Sequence, residues 1–115
     1  NHSIRKITPE GMVSTLAGNG TPGNANGSGN NARFNQPYGV TLNTMGDIYV
    51  SDIKNERISK ITPEGIVTTF VGVGSSSSGT TSQFPWPLGI AFDKEGNLLV
   101  VDYYQTRVMK VPPSG

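Results

Sequence analysis

The chain repeats itself at a fixed distance. Phe34-Asn35-Gln36-Pro37-Tyr38-Gly39-Val40 returns as Phe84-Pro85-Trp86-Pro87-Leu88-Gly89-Ile90, and Gly46-Asp47-Ile48-Tyr49-Val50-Ser51-Asp52 returns as Gly96-Asn97-Leu98-Leu99-Val100-Val101-Asp102. Phe34 against Phe84 and Gly46 against Gly96 give the same offset of 50. The opening segment, Asn1 to Gly11, recurs as Asn55 to Gly65 and more loosely as Gln105 to Gly115, at offsets of 54 and 50. The first interval therefore carries four extra residues, which fit best in the Gly/Asn-rich loop after Gly18. A period of this size means that one supersecondary unit is copied and stacked, because a single copy cannot bury its own apolar face.

Each unit reads as four strands. Pro37 to Asn43 alternates Val40 and Leu42 with Gly39 and Thr41, the period of a strand and not of a helix. Asn43-Thr44-Met45-Gly46 and its counterpart Asp93-Lys94-Glu95-Gly96 are turns, with glycine supplying a positive φ. Asp47 to Ser51 is the second strand; Lys54-Asn55 turns into a third, Arg57 to Thr62, and Pro63-Glu64-Gly65 into a fourth, Ile66 to Val71. A Gly/Ser/Thr-rich loop, Gly72 to Ser82, leads to the next unit. Four-stranded antiparallel meanders at this spacing predict an all-β chain of β-propeller blades, about two per chain.

The residues also resemble a known family. Pro-x-Gly-Val/Ile, then Gly-Asp/Asn and Val-x-Asp, followed by Asn-x-x-Ile-x-Lys-Ile-Thr-Pro-x-Gly, is similar to the NHL repeat, in two full passes and one partial. The resemblance implies blades whose first strand lines a channel and whose fourth is outermost. In that frame the single segment 1–115 comprises third and fourth strands (1–18), a complete blade (37–72) and the first to third strands of the next (87–111). One third-type strand is then surplus, since Ile4 to Ile7 and Val108 to Val111 suit the same place. Two blades cannot cover their outer faces, so Ile48, Val50, Ile90, Phe92, Leu98 and Val100 are expected to need partners: further blades of the same chain, or identical copies, three of which complete six blades.

Composition narrows the function classes. Hydrophobic residues make up 34% and charged residues 15%, with 15 Gly and 8 Pro, which suits turns and strands over amphipathic helices. A net charge of +1 gives no general pull toward polyanions. No apolar run approaches the roughly 18 residues of a membrane span, and no basic segment leads into an apolar core at the start, so no membrane partner is expected. Without cysteine there are no disulfides or thiolate ligands, and the lone His2 provides no imidazole cluster. The Asn/Ser/Thr/Gly-rich loops, sparse lysine and absent cysteine suit an extracellular or cell-surface protein; the acceptor triplets at Asn1, Asn19 and Asn26 match by the same turn-rich composition.

Candidate chemistry is thin. Asp52 and Asp102 close the second strands, where capping the turn into the third strand is a stronger reading than a cation site. Asp93 to Asn97 spaces oxygens as a calcium loop does but lacks the distal bidentate glutamate, so it reads as a turn, and no metal is assigned. Arg57 and Arg107 start equivalent third strands, with Lys60 and Lys110 beyond them and Arg5 and Lys6 in the first pass. They offer a basic rim for RNA, against the ordinary reading of ion pairs to carboxylates of adjacent blades.

Phe34 and Phe84 repeat in phase and read as plugs between blades. Tyr38 lies where the long loop meets the first strand, as does Trp86, while Tyr103 and Tyr104 lie in the loop between second and third strands; in a propeller these two loop classes emerge on one face. Trp86, Tyr103 and Tyr104 replace Gln36, Ile53 and Lys54 of the other unit, so the scaffold does not require them and they are the best binding candidates. No catalytic residue is assigned: a serine or cysteine nucleophile has no partner base, and the channel-facing set Thr41, Asn43, Ala91 and Asp93 is too small for a metal cage. The expected function is a non-catalytic scaffold without cofactor that binds a protein or glycan through loops on one face. A metal-dependent lyase or lactonase-like propeller enzyme is the alternative, and RNA binding through a basic face a second one.

Overall fold

Ten strands build three antiparallel sheets in the computed structural model, which describes residues 1–72 and 84–115. The long loop predicted over Gly72 to Ser82 lies, from residue 73 onward, outside the described residues. The first sheet pairs β1 (Ser3–Ile7) with β2 (Val13–Gly18). The middle sheet holds β3 (Gly27–Ser28), β4 (Pro37–Leu42), β5 (Ile48–Asp52), β6 (Arg57–Ile61) and β7 (Ile66–Gly72) in the order β3-β7-β6-β5-β4. The third sheet places β9 (Leu98–Asp102) between β8 (Pro87–Phe92) and β10 (Arg107–Val111). The fold is all-β, built as propeller blades.

The repeated motifs are turn chemistry. Asn43 Oδ1 accepts the N–H groups of Met45 and Asp47 at 3.0 and 2.9 Å, and Asp93 Oδ1 accepts those of Glu95 and Asn97 at 3.0 and 2.8 Å. Each is a short side chain closing its own hairpin. In the Thr-Pro-Glu-Gly turns, Thr8 and Thr62 accept the N–H of Met12 and Ile66 at 3.0 and 3.1 Å, while Gly11 and Gly65 take φ of +90° and +92°. One conformational requirement recurs without a shared residue type: His2, Glu56 and Thr106, just before the third-type strands, all have positive φ.

The loop after Gly18, longer than its counterpart, folds back on the middle sheet. Its β3 pairs Gly27 with Val67 and Ser28 with Ile66, adding a fifth strand that the repeat did not predict. The Gly29 N–H donates to the Gly65 carbonyl at 3.0 Å, fastening the loop to the outer hairpin.

Two apolar cores lie between the sheets. Phe34 sits with Ala17, Ala32, Val50, Ile61 and Val67 in one, packed by Ile4, Leu16 and Ile48. Phe84 sits with Tyr49, Ile58, Leu98, Val100 and Val111 in the other, packed by Phe70, Ile90 and Phe92. Both phenylalanines therefore plug a junction between sheets, and Tyr49 meets Phe70 and Phe92 edge-on at 5.0 Å. The six apolar residues expected to lack partners find them inside the chain. Exposed apolar side chains instead include Tyr38, Val40 and Leu42 on β4, Val101 and Val108 on the third sheet, and Ile7, Met12 and Val13 on the first. The cause is geometric: the first sheet has only outer strands and leaves the inner strip of β4 uncovered, and among the described residues no sheet packs on the far side of the third.

Candidate functional site

Of the loop residues singled out by the sequence, Trp86 lies at the junction of the middle and third sheets, and Tyr103 and Tyr104 lie beside it on the third sheet. Lys54, in the turn after β5, places its Nζ 5.1 Å from the centroid of the Trp86 ring. The Tyr103 N–H donates to the Trp86 carbonyl at 3.1 Å, tying the loop after β9 to the segment entering β8. Trp86 is thus held from both sides, half-buried, while Tyr103 and Tyr104 are 67% and 74% exposed. They line a shallow groove of about 540 Å³ with Val101, Asp102, Thr106, Arg107 and Val108. Tyr38 is not part of this group: it lines a separate slot with Ser3, Ile4, Arg5 and Val40.

Arg57 is the main correction. The sequence offers it either as part of a basic rim or as an ion pair to an adjacent blade, yet it is 1% exposed. Its Nε donates to Asp52 Oδ2 at 2.9 Å, one terminal nitrogen donates to Asn24 O, Asn26 Oδ1 and Thr69 Oγ1 at 3.1, 2.9 and 3.2 Å, and the other donates to Arg33 O at 2.9 Å. A guanidinium with these partners is a clamp that stitches the folded-back loop to the sheet, and it offers nothing to a ligand. Its carboxylate belongs to the same sheet, at the directly paired position Asp52↔Arg57, and not to an adjacent blade. Arg107 repeats the pairing with Asp102 at 3.4 Å but is 43% exposed. Lys60 and Lys110 likewise pair within their own sheets, with Asp47 at 3.7 Å and Asp93 at 3.9 Å, so the basic rim is largely neutralised.

Asp52 does more than cap a turn. Its Oδ1 accepts the Asn35 N–H at 2.7 Å, and its Oδ2 accepts both Asn55 Nδ2 at 2.6 Å and Arg57. Burial pushes its carboxyl above the ordinary carboxylate range, against the pull of Asn35, Asn55 and Arg57. Asp102 caps the expected turn, accepting the Gln105 N–H at 3.4 Å. Asp93 moves the other way: the hydrogen bond from the Asn97 side chain leads the causes that hold it below its ordinary value. Among the described residues no group of three or more His, Asp or Glu converges on a point that could hold a metal. No helix among them is long and apolar enough to cross a membrane. Lys54 and the loop asparagines Asn24 and Asn26 are the participants that sequence reasoning missed; only Lys54 had a signal, as the counterpart of Tyr104.

Sheets stacked through phenylalanine plugs, with loops gathered at one end, define a β-propeller-type scaffold. No protein-family model matches the chain, and no curated protein does. Solved structures do match. An auxiliary nutrient binding protein from Bacteroides thetaiotaomicron has a TM-score of 0.79 at 25% identity, over 96% of this chain and 32% of its own. One of the same description from Bacteroides ovatus has a TM-score of 0.78 at 26% identity, over 96% and 32%. A streptogramin B lyase has a TM-score of 0.68 over 99% of this chain and 32% of its own, at 18% identity, which speaks to the fold alone. The chain thus spans about a third of the length of these structures.

Proposed function

We propose that this chain is a stretch of an NHL-type propeller that binds a protein or glycan through the aromatic loops at one end of the third sheet, without catalysis. The observation that carries this reading is that Trp86, Tyr103 and Tyr104, the residues that break the repeat, belong to two loops tied together by the Tyr103 N–H to Trp86 carbonyl bond, with both tyrosines lining an open groove on the third sheet. Rings positioned by loops on a rigid sheet provide flat apolar area at low entropic cost, which is how aromatic anchors dominate recognition. The charged residues support the same reading: Asp52, Arg57 and Asp93 are occupied with structural hydrogen bonds. The structurally similar nutrient binding proteins are named for binding, which agrees with it.

Trp86 is the only tryptophan, so its fluorescence reports on this site directly. Titration with a panel of neutral oligosaccharides, and separately of peptides, is expected to shift its emission with saturation for one class. Tyr104→Ala then weakens that binding by about tenfold or more, equivalent to about 1.4 kcal/mol, with the fold unchanged. Binding that is indifferent to both Tyr104→Ala and Trp86→Ala places the site elsewhere.

A further inference from the structure

The cation beside Trp86 says something about the ligand that the aromatic rings alone do not. Arg57, Lys60, Arg107 and Lys110 each pair with an aspartate, at distances from 2.9 to 3.9 Å. Lys54 differs from all four. It is exposed and makes no ion pair with any carboxylate among the described residues, Glu56 two positions on included. Residues 73–83 contain no Asp or Glu. The Lys54 Nζ lies instead over the Trp86 ring, 5.1 Å from its centroid.

Both members of this contact are positioned by the backbone. Lys54 lies in the single turn Ile53–Asn55, whose other two side chains are buried, and its N–H donates to the Asn35 carbonyl at 3.0 Å. Trp86 stands between Pro85 and Pro87, whose rings restrict the chain on either side of it, and its carbonyl accepts the Tyr103 N–H at 3.1 Å. The two residues face each other across a junction inside the chain, closed by its own core of Tyr49, Ile58, Phe84, Leu98 and Val100. The arrangement therefore holds whatever borders the outer sheets.

We infer, resting on the function proposed for the aromatic loops, that the ligand is an acidic glycan: a sugar ring that bears a carboxylate stacks on Trp86 and places that carboxylate on Lys54. A cation over an exposed indole face is held weakly. A hydrogen bond from an ammonium to a carboxylate is about twice as strong as one between neutral groups. Lys54 thus leaves the ring face readily for a ligand that brings a carboxylate, whereas a neutral ligand displaces it with nothing in return. A hexuronate carries both matching groups on one ring, C–H faces that stack and a carboxylate at the rim where a displaced lysine meets it. An acidic peptide divides them between Asp or Glu, which lacks a flat face, and an aromatic residue, which lacks the charge. In this role Lys54 sets specificity, and Trp86 supplies contact area.

The test reads Trp86 emission on the 115-residue chain. The titrants are oligogalacturonate, oligoglucuronate and oligomannuronate, each against its own methyl ester, and a glutamate-rich peptide. At least one acid is expected to bind about tenfold or more tightly than its ester, with an affinity that falls as salt is added. In Lys54→Gln the gap closes from both sides, since the acid loses its counter-charge and the ester gains an uncovered ring face. Lys54→Arg, which keeps the charge, keeps the gap. Lys54 is exposed, so circular dichroism of both variants should be unchanged. Acids and esters that bind the unaltered chain equally, or a gap that survives Lys54→Gln, overturn the assignment and leave binding at the aromatic loops standing. A peptide that binds more tightly than every acid overturns it as well, in favour of a protein ligand. If no sugar or peptide shifts the emission, the assignment and the proposed function fall together.

Discussion

Arg57 shows how far one side chain can be misplaced by reasoning along the sequence. A basic residue at the start of a strand, repeated at Arg107, reads as rim charge; the partners that bury it come from residues 24 to 33 positions earlier in the chain. The motifs closed by short local bonds, at Asn43, Asp93, Thr8 and Thr62, were legible because donor and acceptor are neighbours. Arg57→Ala is expected to cost about 3–5 kcal/mol at neutral pH, because it strands the buried Asp52 carboxylate. The pH dependence carries a definite sign. The native pKa of Asp52 lies above the ordinary 3.8, so the folded state holds the proton more tightly and stability from this group falls as pH rises through that interval. Removing the arginine removes one of the interactions that lower this pKa, so the interval widens upward. The deficit of Arg57→Ala should therefore shrink on acidification, as measured by urea midpoints between about pH 3 and 7. Asp93 contributes oppositely, its share present above 3.8 and lost as pH falls through its lowered native value.

The elements follow the repeat closely where two copies could be compared and depart from it where only one exists. Strand positions shift by a residue at most, with Ile48–Asp52 found for Asp47 to Ser51 and Ile66–Gly72 for Ile66 to Val71. The two-residue β3 was illegible because Gly27 and Ser28 carry no strand signal; the sheet edge beside them makes them a strand. The positive φ at His2, Glu56 and Thr106 was equally hidden, since three unlike residues meet one backbone demand. Gly72 shows that demand from the other side of the ladder. It pairs with Arg57 at φ +105°, and a Cβ there would lie 2.5 Å from the Glu56 carbonyl oxygen and 2.6 Å from the Arg57 Cα. Gly72→Ala should lose about 1–3 kcal/mol from backbone conformation alone, more with the clash, as read from thermal or urea unfolding. Gly18 occupies the same place beside Ser3 and should behave alike.

At the scale of the molecule the candidate site was half legible. The sequence identified which aromatic residues break the repeat, and the two loop classes do meet at one end. It could not separate Tyr38 from Trp86, because Tyr38 lies at the start of one first strand and Trp86 just before the other, and only the stacking decides what each one faces. That stacking also orders the chain's motions. Among the described residues only the middle sheet is flanked by sheets on both sides, so in the 115-residue chain opening is expected to begin at the outer sheets and travel inward. In hydrogen exchange, the amides of β5 and β6 should be the last to take up deuterium, with β1 and β10 leading by a wide margin. A row of units coupled only to its neighbours frays as a zipper does, and docking any cap on either end should slow exchange at that end first.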